Sequence, residues 1–189
     1  MSGALPRRLV LLGLGAALAG CGTSRSPTLY TLVERPGRRI DRTLLPAALR
    51  SVEIPKYLDR PEIVRRRTPF ELSAAEFERW AEGFDEMTTR VLLEDLSLRL
   101  PACPLSISGS RIAPSGGTLI SVSLARFDPD PDGTVVLEAR WSIDRGRAAS
   151  SAIRLDRITH PASQETAALV AAMSDCLGTL ADHIAEALA

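Results

Sequence analysis

Residues 118–143 are TLISVSLARFDPDPDGTVVLEARWSI. Ile120, Val122 and Leu124 alternate with Ser121, Ser123 and Ala125; then Val135, Leu137, Ala139, Trp141 and Ile143 alternate with Val136, Glu138, Arg140 and Ser142. A period of two marks strands with one face on a core and one on water. Between them stands DPDPDG, whose alternate aspartates and glycine also open an EF-hand calcium loop. That loop needs a bidentate glutamate at its twelfth position and a helix on each side. Counting from Asp128, that position is Ala139, both flanks are strand-like, and Pro129 and Pro131 fix the backbone where it would wrap an ion. A hairpin turn suits the same residues, with aspartate bonding back to the backbone and Gly133 accepting positive φ. A third run, Ser151, Ile153 and Leu155 against Ala152, Arg154 and Asp156, follows the turn at 144–146, completing an antiparallel meander with Ile153 and Leu155 expected inward.

Two helices flank this meander. One is expected from about Phe84 to Leu100, stopped by Pro101. Its apolar positions, among them Met87, Val91, Leu92, Leu93, Leu96 and Leu98, cover more than the ~100° stripe of a surface helix. It is therefore expected to be covered on two sides. Ser73 and Glu76 have capping-box spacing, suggesting an earlier helix from Ala74 that Gly83 interrupts. The second helix is expected from about Gln164 to Ala187, opened by Ser163 with Glu165 in its first turn. Upstream, Leu29–Val33 and Ser51–Ile54 are short β-rich runs separated by a turn at Leu45–Ala48, and Lys56–Thr68 is a loop with one short strand at Ile63 and Val64. The fold class is α+β: an antiparallel β-sheet with two main α-helices packed on one face, in a single domain over residues 29–189.

The beginning of the chain carries an address. Arg7 and Arg8 precede an apolar run from Leu9 to Leu18 and then small residues ending at Cys21. This is a secretory signal peptide over residues 1–20, too short for the ~20 residues of a membrane-spanning helix. Leu18, Ala19, Gly20 and Cys21 resemble the bacterial lipobox, which implies cleavage before Cys21 and acylation of its sulfur and new N-terminus. One lipid chain holds weakly and two or more hold firmly, at about 0.8 kcal/mol per buried methylene. Gly22 stands where such lipoproteins use aspartate for inner-membrane retention, so the resemblance implies the periplasmic face of the outer membrane. Residues 21–28 form the lipidated tether.

Composition limits the chemistry. Lys and Arg number 23 and Asp and Glu 23, with Lys56 the only lysine, so nothing in the charge balance points to nucleic acid. Arg65, Arg66 and Arg67 are expected to be solvated rather than bound to headgroups or a partner. His160 and His183 lack partners at metal-ligand spacing, no metal site is expected, and SISGS and PSGGT lack the glycines of a nucleophile elbow. No phosphate loop or dinucleotide fingerprint occurs, so neither an enzyme nor a non-covalent cofactor is expected. With Cys21 acylated, Cys103 and Cys176 remain, either bridged or as two buried free thiols. A bridge would add on the order of 4 kcal/mol in the chain-entropy model. Trp141 falls on an inward strand position, while Trp80 is either core or contact.

The segments VEIPKYLDRPEIVRR (Val52 to Arg66) and ERWAEGFDEMTTRVLLEDLSLRLP (Glu78 to Pro101), with the lipobox and Tyr30 to Leu32, resemble the ABC-type transport auxiliary lipoproteins, the PqiC/YmbA-like family. Gly83 departs from the proline common in relatives and favours a helix beginning near it. The resemblance implies a Gram-negative outer-membrane lipoprotein with MCE-domain and ABC or Pqi-type permease partners, moving lipids between membranes, and assembly into homo-oligomeric rings. The candidate partner-binding residues are Tyr57, Leu58, Asp59, Arg60 and Pro61, with Arg79 and Trp80; a packed connecting loop is the other reading of 57–61. A stand-alone periplasmic carrier of lipid or lipoproteins is the alternative function.

Overall fold

The computed structural model describes residues 25–111, 117–146 and 152–189. The signal peptide, Cys21 and the first part of the tether lie outside them. Eight strands and two helices follow in the order β1 (Thr28–Tyr30), β2 (Ala47–Leu49), β3 (Glu62–Thr68), β4 (Glu71–Trp80), α1 (Phe84–Arg99), β5 (Leu105–Ile107), β6 (Thr118–Pro129), β7 (Val135–Asp144), β8 (Arg154–His160) and α2 (Thr166–Leu188). The class is α+β, as the alternation and helical spacing imply. The strands make two mixed sheets rather than one antiparallel sheet: β5-β2-β6-β7-β8 and β1-β4-β3.

In the larger sheet the meander β6-β7-β8 is antiparallel, and β2 lies parallel to both β6 and β5. The inner face carries Ile120, Val122, Leu124, Leu137, Ala139 and Trp141, all buried, against α2. A register shift between Leu124 and Arg126 changes the parity of β6, so that Phe127 also turns inward. Helix α1 packs on α2 and β5, extending the same layer. It buries Phe84, Met87, Val91, Leu92 and Leu96, while Leu93 is half-buried and Leu98 exposed.

Several expectations are corrected. The helix proposed from Ala74 does not form: Ser73 and Glu76 lie within β4, and α1 begins at Phe84 with Gly83 as its N-cap. The loop at 56–68 contains a short 3-10 turn, Lys56–Leu58, and a full strand, β3, paired with β4. The turn expected at 45–48 overlaps β2, and 51–54 contributes only an isolated bridge from Glu53 to Ser123. In β8 the inward residues are Asp156, Ile158 and His160, because Ala139 pairs with Asp156 and Leu137 with Ile158. Ile153 and Leu155 are consequently exposed, each at 72%. Helix α2 begins at Thr166 after Glu165, with no side-chain cap from Ser163.

Residues 31–40 take no regular structure, yet they are held between the helices. The Leu32 amide lies 3.3 Å from the Met87 sulfur, and the amides of Val33 and Arg35 donate to Ser174 Oγ (3.2 Å) and Asp95 Oδ1 (2.6 Å). Arg99, 1% exposed, joins all three pieces. Its guanidinium donates to Arg35 O (2.9 Å), Asp95 O (3.0 Å), Gly178 O (2.8 Å) and Asp182 Oδ1 (2.6 Å).

Candidate docking surface and its supports

The aspartate run is a turn, with one residue doing more. Gly133 sits at φ 91°, its amide donates to Asp130 O (2.9 Å), and Asp132 Oδ1 accepts from the Thr134 amide (2.9 Å). Asp128, 0% exposed at the end of β6, turns its carboxylate toward β3 and the 3-10 turn. It accepts from Tyr57 Oη (2.5 Å), Arg66 Nε (3.0 Å) and Nη2 (3.1 Å), and Arg126 Nε (3.0 Å). Arg126 also pairs with Asp130. Burial, reinforced by the hydrogen bond to the Asp128 carboxylate, pushes the Tyr57 hydroxyl up; the hydrogen bond to Asp128 holds Arg66 above its ordinary value. A buried carboxylate saturated by three cationic or hydroxyl donors pins two sheets together and leaves no open lone pairs for a cation. Among the described residues no group of His, Cys, Asp and Glu is arranged to hold a metal.

This geometry divides the candidate partner-binding segment. Tyr57 is spent on Asp128 and Leu58 is buried in the core, so both are structural. Asp59, Arg60 and Pro61 are exposed, with Asp59 paired to Lys56 at 3.2 Å and Arg60 to Glu62 at 3.1 Å. Trp80 is buried and stacks on Phe84, ring centroids 4.9 Å apart, so its core role is the one seen. Arg79 is half-buried on β4, paired across to Leu29 and Glu62, and its Nε has no hydrogen-bond partner. The exposed remainder of the candidate surface is therefore Asp59 to Pro61.

Two of the three consecutive arginines are likewise committed rather than solvated: Arg65 pairs with Glu78 at 3.1 Å and donates to Thr166 and Gln164 O (2.7 Å), and Arg66 holds Asp128. Arg67 is exposed. His160 bonds Thr179 (3.1 Å) and His183 bonds Asp156 (3.0 Å), which also accepts from Trp141 Nε1 (2.8 Å). The Cys103–Cys176 bridge is not formed. Both are buried free thiols, with Cys103 donating to Leu45 O (3.3 Å) on the loop after α1 and Cys176 in the middle of α2. Burial pushes the Cys176 thiol up to about 12 and raises Cys103 as well.

The clefts around these residues are polar. One of about 430 Å³ is lined by Arg65, Arg66, Arg67, Ser73, Pro131 and Gln164, another of about 420 Å³ by residues including Arg50, Glu53, Lys56, Asp59 and Asp85. Sequence reasoning missed the roles of Asp128, Asp95 and Arg99, because a buried ion pair across distant segments leaves no local pattern. It also missed Phe70, 98% exposed at the β3–β4 tip.

Fold and site together define an α+β module in which the charged clusters brace the elements and the loops and one projecting hairpin face outward. The model for the ABC-type transport auxiliary lipoprotein component matches residues 30–185, and the chain belongs to that family. A crystal structure of an uncharacterized protein is similar at TM-score 0.74 and 19% identity, covering 87% of this chain and 100% of that one. One from Xanthomonas campestris is similar at 0.70 and 17%, covering 85% and 95%. At these identities they show a shared fold. No curated protein is significantly similar to the chain.

Proposed function

We propose that the chain is a periplasm-facing outer-membrane lipoprotein, acylated on Cys21, that serves as a non-enzymatic auxiliary subunit of an MCE and ABC, or Pqi-type, lipid transport system. The observation that carries this reading is the family match over residues 30–185, with a lipobox cysteine nine residues upstream of it. Its task is to dock the MCE component, as one of a homo-oligomeric ring, and so to maintain the envelope; the bound lipid is covalent and no other cofactor is used. The exposed loop Asp59, Arg60, Pro61, with Arg79 behind it, is the contact surface toward the partner.

The packed interior supports docking over a stand-alone lipid carrier. A carrier wants an apolar concavity for its ligand. Here α1 and α2 cover the inner face of the large sheet, and Leu49, Met87, Leu96, Phe127 and Leu177 fill the space between layers. Co-purification in detergent distinguishes the two. Recovery of an MCE-domain protein and a permease, reduced several-fold by Asp59→Ala with Arg60→Ala at unchanged melting temperature, is expected. Recovery of the domain alone with bound phospholipid would favour the carrier and overturn the docking role.

A further inference from the structure

Strands β3 and β4 continue past the body of the protein as a two-stranded ribbon. Strand β1 pairs only with Glu78 to Trp80 at the base of β4; toward the tip, Ala74, Ser73, Leu72 and Glu71 pair only with β3. Residues 67–72 are exposed without interruption. The apex there is Pro69 and Phe70, followed by Leu72, itself 39% exposed, on the descending strand. A phenylalanine that touches almost nothing of its own chain, at the end of a projecting ribbon, is placed to be buried elsewhere.

The direction of the N-terminal chain says where. Because β1 runs parallel to β4, with Thr28 opposite Glu78 and Tyr30 opposite Trp80, the backbone preceding Thr28 heads toward the ribbon's tip. Arg25 already lies along it, its guanidinium 5.7 Å from the centre of the Phe77 ring. Arg25 lies four positions after Cys21, an extended reach of about 14 Å. That is about the length of β4 between residues 75 and 71 at ~3.4 Å per residue. An anchor at Cys21 therefore lies within reach of the same height as Phe70.

We infer that the β3–β4 tip, through Pro69, Phe70 and Leu72, is a second membrane contact that inserts into the bilayer holding the Cys21 lipid, fixing the tilt of the domain. This rests on the acylation of Cys21 proposed above. The occupant is a lipid surface entered by apolar side chains rather than a headgroup site. Arg65 and Arg66 are held by Glu78 and Asp128, and exposed Arg67 is offset by exposed Glu71. Contact at the tip should accordingly survive high salt, which weakens headgroup attraction between exposed charges.

The test uses the full-length acylated protein carrying Phe70→Cys labelled with a polarity-sensitive fluorophore. Leu155→Cys, on an exposed position of the distant sheet edge, is the comparison; Cys103 and Cys176 are buried. In vesicles of phosphatidylethanolamine and phosphatidylglycerol containing shallow spin-labelled lipid, the probe at 70 should shift to the blue and lose most of its emission, in low and high salt alike, while the probe at 155 loses little. A protein that floats with vesicles but whose probe at 70 behaves as the one at 155 overturns the tip contact and leaves the lipoprotein reading standing. A blue shift that follows protein concentration in detergent without vesicles assigns the tip to a second copy and also overturns it. Failure to float, with a bare Cys21 by mass spectrometry, removes the anchor and the tip contact together.

Discussion

Asp128 accepts from Tyr57, Arg66 and Arg126, and these surroundings fix what substitution should do. Removing the buried carboxylate leaves the Arg66 guanidinium without its carboxylate and Arg126 with Asp130 alone, and breaking a buried pair on one side costs about 3–5 kcal/mol. Asp128→Ala should lose stability of that order in urea unfolding. Tyr57→Phe removes one hydrogen bond to a charged acceptor, about 1.5–3 kcal/mol. Calcium should leave the wild-type curve unchanged, since the lone pairs of Asp128 are already occupied. Asp95 behaves differently. Burial raises its carboxyl from 3.8 to about 6, against the Arg35 amide and the Arg99 charge, which favour the ionised form. The folded state thus keeps a proton that the unfolded chain has released between pH 4 and 6, so stability from this residue falls as pH rises through that window, by on the order of 2 kcal/mol. Asp95→Asn, which keeps the shape without the titration, should show a correspondingly flatter stability profile over pH 4–6 than the wild type when unfolding midpoints are compared.

At the scale of elements, legibility followed how much each segment's environment was local. The β6–β7 hairpin and the last helix were legible because a single apolar face, repeated over ten residues or more, is written in the residues themselves, and α1 because a long apolar-rich run is bounded by Gly83 and Pro101. Strand β4 was not. Its glutamates and alanines suit a helix and its Ser73 and Glu76 mimic a cap, but pairing with β3 on one side and β1 on the other overrides those weak preferences. Strand β8 kept its type and lost its face, because the register with β7 sets which residues point inward, and register is a property of two strands. Strands β2 and β5, of three residues each, owe their existence to parallel neighbours distant in sequence. The helix pair offers a sharp test of close packing. A Cβ on Gly178 would stand 2.9 Å from Arg35 Cβ and 3.4 Å from Arg99 Nη2. Gly178→Ala gains about 1 kcal/mol of helix propensity. Overpacking costs about 1–3 kcal/mol. The variant should therefore be less stable than the wild type by calorimetry, although alanine is the better helix former.

For the molecule as a whole, the candidate site was legible in family pattern and not in geometry. The sequence around Tyr57 to Pro61 marks a segment worth attention, but only the fold separates Tyr57 and Leu58, which brace the interior, from Asp59 to Pro61, which face water. The thiols divide the same way: with Cys103 and Cys176 buried, free and raised in pKa, a maleimide should label neither in the native protein and both in denaturant, with no mobility change on reduction. The N-terminal segment sets the boundary of what can fold alone. A chain starting at Arg25 keeps the Arg25–Phe77 contact, β1 and Leu32, and should unfold in one cooperative transition. A chain starting at Asp41 would lose Leu32 from the core and the Arg35 contacts that satisfy Asp95 and Arg99. Each buried polar group so orphaned costs about 1–3 kcal/mol, more when charged, and typical domains hold only about 5–15 kcal/mol in reserve. That shorter chain should accordingly show a broad, low-temperature transition by circular dichroism; a sharp melt at the original temperature would mean the segment between the helices is ornamental.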